Sequence, residues 1–264
     1  MTDSMDARSL RLPSGAAMPM LGLGTWQLRG EQGYTAVRHA LEVGYRHIDT
    51  AKVYRNEAEV GRAVKDSGVP REQVFLTTKL PPDDAGRERE TMQASLKALG
   101  TDYVDLWLVH WPPDDDKAGV GTWEQLLTLR DLGLARDVGV SNYSPAQIDE
   151  LADTTGVAPA VNQIKWSPAL FDAGRLAHSR ERGVVLEGYS PFRAGRMEDP
   201  TLGEIAAAHG VTPAQVVLRW HVEHEVVCIP KSAQPERIAS NFDVFGFALS
   251  ADEVARIDGL SAAG

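Results

Sequence analysis

Between Gly44 and Glu57 the chain reads GYRHIDTAKVYRNE, which sets a carboxylate, Asp49, just upstream of a phenol, Tyr54, where an apolar run ends. The pattern recurs downstream: the run Val74 to Thr78 ends in Lys79, and the run Leu106 to Val109 ends in His110. Four titratable side chains thus cap three successive candidate strands. A phenol titrates near about 10 and is a poor proton donor at neutral pH unless a nearby cation stabilises its phenolate. Lys79 is a candidate for that cation. An ammonium in such a pocket calls for its own counter-ion, because an unpaired buried charge is costly, and Asp49 has the right sign and lies in the right layer. His110 would then orient a carbonyl oxygen.

Positioning such a set requires strand ends gathered on one face. Strand-like runs fall near Leu21 to Gly24, His47 to Asp49, Val74 to Thr78, Leu106 to Val109, Val138 to Val140, Ala160 to Gln163, Val184 to Glu187 and Val226 to Ile229, with helix-patterned segments between them. Alternating strands and helices imply parallel pairing, and eight such units in 264 residues point to one α/β domain, a (β/α)8 barrel spanning residues 1–264. Ser144-Pro145 opens a helix that runs to Thr155 before Gly156 ends it. Leu10 to Met18 reads as a short hairpin turning at Pro13-Ser14-Gly15, and residues 1–8 as a loose tail. Thr201 to His209 and Pro213 to His224 read as two consecutive helices, which breaks the strict alternation. Pro81 to Gly86 and Pro112 to Gly121 read as polar, turn-rich loops on the face where barrel enzymes keep their sites.

The formal net charge of −10 argues against a nucleic-acid partner, although an anionic cofactor needs only a local basic patch. The single cysteine, Cys228, excludes an internal disulfide and reads as a buried strand thiol. The first residues lack a signal-peptide core and no apolar run reaches the length of a membrane span, so a cytoplasmic location away from membranes is expected. The remaining histidines have no ligand spacing, and no metal is expected. A monomer is the working expectation.

Asp49, Tyr54, Lys79 and His110 together resemble the catalytic tetrad of the aldo-keto reductases. The flanking text agrees in family order: GLGTW at 22–26, TKL at 78–80, HWP at 110–112, SNY at 141–143, NQ at 162–163, YSP at 189–191 and IPKSAQPERIASN at 229–241. The likeness covers roughly Leu10 to Leu260 and is to the bacterial diketogluconate reductase type as much as to aldose reductases. It implies hydride transfer from NADPH to a small aldehyde or ketone, with Tyr54 as general acid, Lys79 and Asp49 tuning it, and His110 positioning the carbonyl. It also implies nicotinamide contacts at Ser141, Asn142, Gln163 and Tyr189, and further cofactor contacts at Thr25, Trp26 and Ser190. Lys231, Ser232 and Arg237 match a clamp for the 2′-phosphate, and Asn241 an adenine contact, although Ser240 stands where relatives often carry Glu. Trp26 and Trp111 would wall the substrate pocket with Tyr54 and His110. A shortened C-terminal tail ending at Gly264 leaves an open, shallow mouth on this likeness. Two other functions stay open: a cofactor-binding regulatory subunit without turnover, and an aldolase using Lys79 as a Schiff-base nucleophile.

Overall fold

A computed structural model describes residues 8–113, 116–193 and 197–261. Most of the expected loose tail (residues 1–7) and the end of the C-terminal tail (residues 262–264) lie outside them. Arg8, assigned to that tail, is docked: its guanidinium lies 4.8 Å from the centre of the Phe245 ring, and its carbonyl accepts from Met20 N. The strands β1 (Ser9–Arg11) and β2 (Ala17–Pro19) pair antiparallel, as the hairpin pattern predicts.

From there strand and helix alternate. The elements are β3 (Leu23–Gly24), α1 (Gly30–Val43), β4 (His47–Asp49), α2 (Glu57–Asp66), β5 (Phe75–Leu80), α3 (Glu88–Leu99), β6 (Val104–Val109) and α4 (Asp116–Asp131). They continue with β7 (Ala135–Ser141), α5 (Pro145–Thr155), β8 (Val161–Lys165), α6 (Ala173–Glu181), β9 (Val185–Tyr189), α7 (Pro200–His209) and α8 (Pro213–Glu223). β10 (Val227–Cys228), α9 (Pro235–Phe242) and α10 (Ala251–Asp258) follow. Ser144 opens α5 with a capping box to Gln147, and Gly156 closes it in a left-handed conformation.

β3 to β10 form a parallel sheet in sequential order. Its edges meet, because Leu21 bridges to Cys228 and Gly22 N donates to Cys228 O at 2.9 Å, which makes the sheet a closed (β/α)8 barrel. The GLG of the GLGTW motif permits that closure. A Cβ at Gly24 would stand 2.8 Å from Ile229 O, and one at Gly22 would stand 2.7 Å from the His47 ring.

Strand residues alternate between barrel axis and helices. Ile48, Leu76, Trp107 and Val140 pack outward in the main core, where full burial of a Leu or Ile is worth ~1.5–3 kcal/mol. Inside, Leu106, Leu108, Val161 and Val227 form an apolar floor that Leu12 and Met18 of the hairpin complete. Ser14 at the hairpin turn donates its hydroxyl and its N–H to Asp137 of β7, which ties the plug in place.

Two expectations are corrected. The segment Pro112 to Gly121 is not all loop, for α4 starts at Asp116; its glycines hide a helical face on which Trp123, Leu126 and Leu129 are buried. β5 runs on to Leu80, so Lys79 sits within a strand rather than after it. Among the described residues no helix is long and apolar enough to cross a membrane.

Candidate active site

Asp49, the last residue of β4, has its carbonyl held by both the N–H and the hydroxyl of Thr25, at 3.0 and 2.9 Å. Beside it Lys79 is 0% exposed. The ammonium donates to Asp49 Oδ1 and Oδ2 at 2.7 and 2.8 Å and to Thr50 O at 2.9 Å. Those bonds, and the charge of Asp49, favour the protonated ammonium. The nitrogen has no lone pair to offer a carbonyl carbon, which counts against the aldolase alternative.

Tyr54 departs from the expected strand-end position. It lies on a 3-10 turn, Lys52–Tyr54, beyond β4. Lys52 ties that turn to Asp84 of the loop after β5 at 2.5 Å and to Thr91 of α3 at 3.3 Å. Asn56, fully buried, accepts from the Thr50 hydroxyl at 2.7 Å and donates to Thr25 O and Leu28 O at 2.9 and 2.7 Å. It thereby joins the loop that carries Trp26 to the turn that carries Tyr54. Neither Lys52 nor Asn56 was singled out from the sequence; their only signal was their place in AKVYRNE.

His110 follows β6 directly and meets the Tyr54 ring edge-on, with centroids 5.7 Å apart, while the Lys79 ammonium lies 5.2 Å from the centre of the Tyr54 ring. Burial, and then the Lys79 charge, push the His110 imidazole down to about 3, so it is neutral and its N–H can donate without being an acid. Burial raises the Tyr54 phenol; Lys79 pulls the other way but does not win. The sequence expectation of a net lowering is therefore corrected in sign: desolvation exceeds the pull of the cation. The Lys79 ammonium is favoured, since Asp49, Tyr54 and Glu187 together outweigh the burial that opposes its charge.

The later strand ends interlock. Ser141 donates its hydroxyl to Gln163 O at 2.8 Å. Asn142 donates to His110 O at 3.1 Å and to Ser141 Oγ at 3.0 Å, and its Oδ1 accepts from the Tyr189 hydroxyl at 2.8 Å. Gln163 donates to Asp49 at 2.8 Å and to Glu187, a carboxyl the sequence reading passed over, at 2.9 Å. Gln27, Arg55, Asn142 and Ser190 all adopt left-handed backbone, with φ between 56 and 65°. Such conformations cost of order 1–3 kcal/mol each in non-glycine residues and gather where function demands a shape.

Asp49, Tyr54, His110, Ser141, Asn142, Gln163, Tyr189, Ser190 and Lys231 line one cavity of about 730 Å³. Trp26 and Trp111, 42% and 49% exposed, stand at its mouth with Val53. Arg29, Lys165 and Arg193 also border it, and the Arg193 guanidinium lies 5.3 Å from the centre of the Trp26 ring. Four expected cofactor contacts lie outside the lining. Thr25 is fully buried with its hydroxyl spent on Asp49, and the Ser232 hydroxyl accepts from Gln234 N at 3.1 Å. Arg237 is exposed on the first turn of α9, and Asn241 is buried on the same helix.

Residues 20–262 match the model of the Aldo/keto reductase family, and the chain belongs to that family. Over 267 residues it is 44% identical to morphine 6-dehydrogenase of Pseudomonas putida, covering 95% of this chain and 90% of that one. It is 43% identical to methylglyoxal reductase DkgA of Escherichia coli over 251 residues, covering 94% and 91%. A solved aldo-keto reductase of Bombyx mori in complex with NADP superimposes with a TM-score of 0.91 at 35% identity, covering 97% of this chain and 94% of that one. Members of the family reduce carbonyl compounds with nicotinamide cofactors.

Proposed function

We propose that this protein is an NADPH-dependent reductase of aldehydes or ketones in which Tyr54 is the general acid. One observation carries it most: the half-buried Tyr54 phenol lines the cavity beside a neutral His110, with the Lys79 ammonium, itself paired to Asp49, 5.2 Å from its ring to oppose the effect of burial. The residues present fit a nicotinamide cofactor. Both amide protons of Gln163 are spent, so only its oxygen remains to accept from a carboxamide. Tyr189 supplies a flat ring in the cavity wall, and Lys231 reaches the same cavity without a carboxylate partner among the described residues. When bound, the reduced nicotinamide supplies the hydride. Tyr54 gives its proton to the carbonyl oxygen as negative charge develops there. His110 donates to that same oxygen and holds it against the phenol, and Lys79 steadies the phenolate left behind.

Lys231 precedes α9 and Arg237 lies in its first turn, where the 2′-phosphate distinguishing NADPH from NADH would be neutralised. Arg237→Ala is expected to raise KM for NADPH about tenfold or more, the size of a lost charge-assisted hydrogen bond, and to leave KM for NADH nearly unchanged. Equal weakening of both cofactors in steady-state assays would move Arg237 to the pyrophosphate or to a structural role.

The substrate faces Trp26, Val53 and Trp111, an apolar and exposed sill suited to bulky aryl or polycyclic carbonyls as well as small ones. The two named relatives are called after morphine and methylglyoxal, which differ greatly in size. NADPH oxidation across a carbonyl panel tests the whole proposal, since cofactor binding without consumption would leave only the regulatory role. Within that panel Trp26→Ala is expected to lower kcat/KM for an aryl ketone about tenfold and to spare a short aliphatic aldehyde. A wild-type preference for the smallest aldehydes, or no effect of the change on either substrate, would remove the aromatic sill from specificity.

A further inference from the structure

Beneath the tetrad lies a carboxyl that the proton transfer above does not use. Glu187 of β9 is 0% exposed. Its Oε2 accepts from Gln163 Nε2 at 2.9 Å, and the same nitrogen gives its other proton to Asp49 Oδ2 at 2.8 Å. Its Oε1 has no hydrogen-bond partner; His47 Nε2 stands 3.6 Å off, too far for a sound bond.

Two carboxyl groups on one amide nitrogen fix the amide's direction. Flipping Gln163 would press its oxygen against the Asp49 carboxylate, so the nitrogen stays on the two carboxyls and the oxygen remains free in a residue that lines the cavity. The titratable groups that bear on Glu187 are His47 and Asp49 of β4, Lys79 of β5, Tyr54 on its turn and Cys228 of β10. Within that set the Lys79 ammonium is already balanced by Asp49. A protonated Glu187 keeps the buried cluster neutral, and an ionised one adds an anion that no further cation offsets.

We infer that Glu187 is a positioning residue with a charge switch: neutral, it shares with Asp49 the aiming of the Gln163 oxygen at a cofactor's carboxamide, and as an anion it adds an unbalanced charge beneath the Lys79–Asp49 pair that slows carbonyl reduction. The inference rests on the reaction proposed above. Burial first, and then the Asp49 charge, push the Glu187 carboxyl up to about 8 against the pull of Gln163 and Lys79. The Tyr54 phenol is raised first by burial, and the Glu187 charge adds a smaller push in the same direction. His47, pressed down to about 3 mainly by burial, stays neutral and supplies no counter-charge.

The stability linkage has a definite sign. The folded-state value lies above the ordinary carboxylate value of 4.5, so the folded protein holds an extra proton between the two. The cost of Glu187 to stability is therefore absent below the lower value, grows as pH rises, and is complete above about 8.

The test compares cofactor-free wild type with Glu187→Gln by thermal melting from about pH 5 to about pH 9. The melting-temperature difference is expected to widen in favour of the variant up to about pH 8 and then to level off. In parallel, kcat for NADPH-dependent reduction at saturating substrates should fall about tenfold in the wild type between about pH 7 and about pH 9, and much less in the variant. Parallel melting curves and parallel pH profiles would overturn the inference, because a group that only packs has no charge to lose. If the variant does not fold, carboxyl carbon NMR of glutamate-labelled wild type, with the Glu57 signal removed by Glu57→Gln, decides: a glutamate titrating near 8 supports the switch, and none titrating near 8 refutes it. Should the protein turn over no carbonyl at all, the reductase proposal fails while melting and NMR still read the switch itself.

Discussion

Tyr54→Phe is expected to lose carbonyl reduction, with kcat down about 10²-fold or more, while NADPH binding stays within about twofold. The change removes one oxygen and keeps the ring that meets His110 at 5.7 Å, so the cavity wall survives. Nothing else there can replace the proton: His110 is neutral above about 3, and Lys79 is held as an ammonium by Asp49 with its pKa raised. Single-turnover kinetics with a fluorescence titration of NADPH separate the two effects. Retention of more than a few per cent of the wild-type rate constant would place the acid elsewhere.

Lys79→Met should be as damaging to turnover and, unlike the first change, should weaken the fold. It strands Asp49, 2% exposed, without its cation, and removing one partner of a buried pair costs about 3–5 kcal/mol. Urea unfolding measures the loss, which should shrink as pH falls because the abandoned carboxylate can then take up a proton. Adding Asp49→Asn to Lys79→Met should restore much of the stability and none of the rate. A fully stable single variant would mean that the pair is not the buried unit described here.

The barrel was legible because its signals are periodic and local. Apolar runs ending in Asp49, Lys79 and His110 mark strands whose ends share a face, and closed parallel sheets put such ends together. The relay of bonds beneath was not legible. Gln163 meets Asp49 across 114 positions of sequence, and nothing in either neighbourhood announces it. Glu187 looked like one more residue of an apolar run; its importance comes from the barrel's closing around it. Tyr54 was misplaced for a related reason, since a 3-10 turn of KVY has no periodicity to read. The direction of its proton affinity was missed because burial, which the sequence does not show, exceeds the effect of the cation that the sequence does show. Thr25 illustrates the limit of matching residue to role: its hydroxyl holds Asp49 from behind and does not face the cavity.

The hairpin of β1 and β2 leaves the barrel shut at its base. A vessel with one doorway imposes an order on its traffic. On the proposed reaction, the occupant against Tyr189 is expected to enter before the one on the Trp26 and Trp111 sill and to leave after it. Departure of the first occupant then sets a ceiling on the whole cycle, however fast the bond-making step becomes.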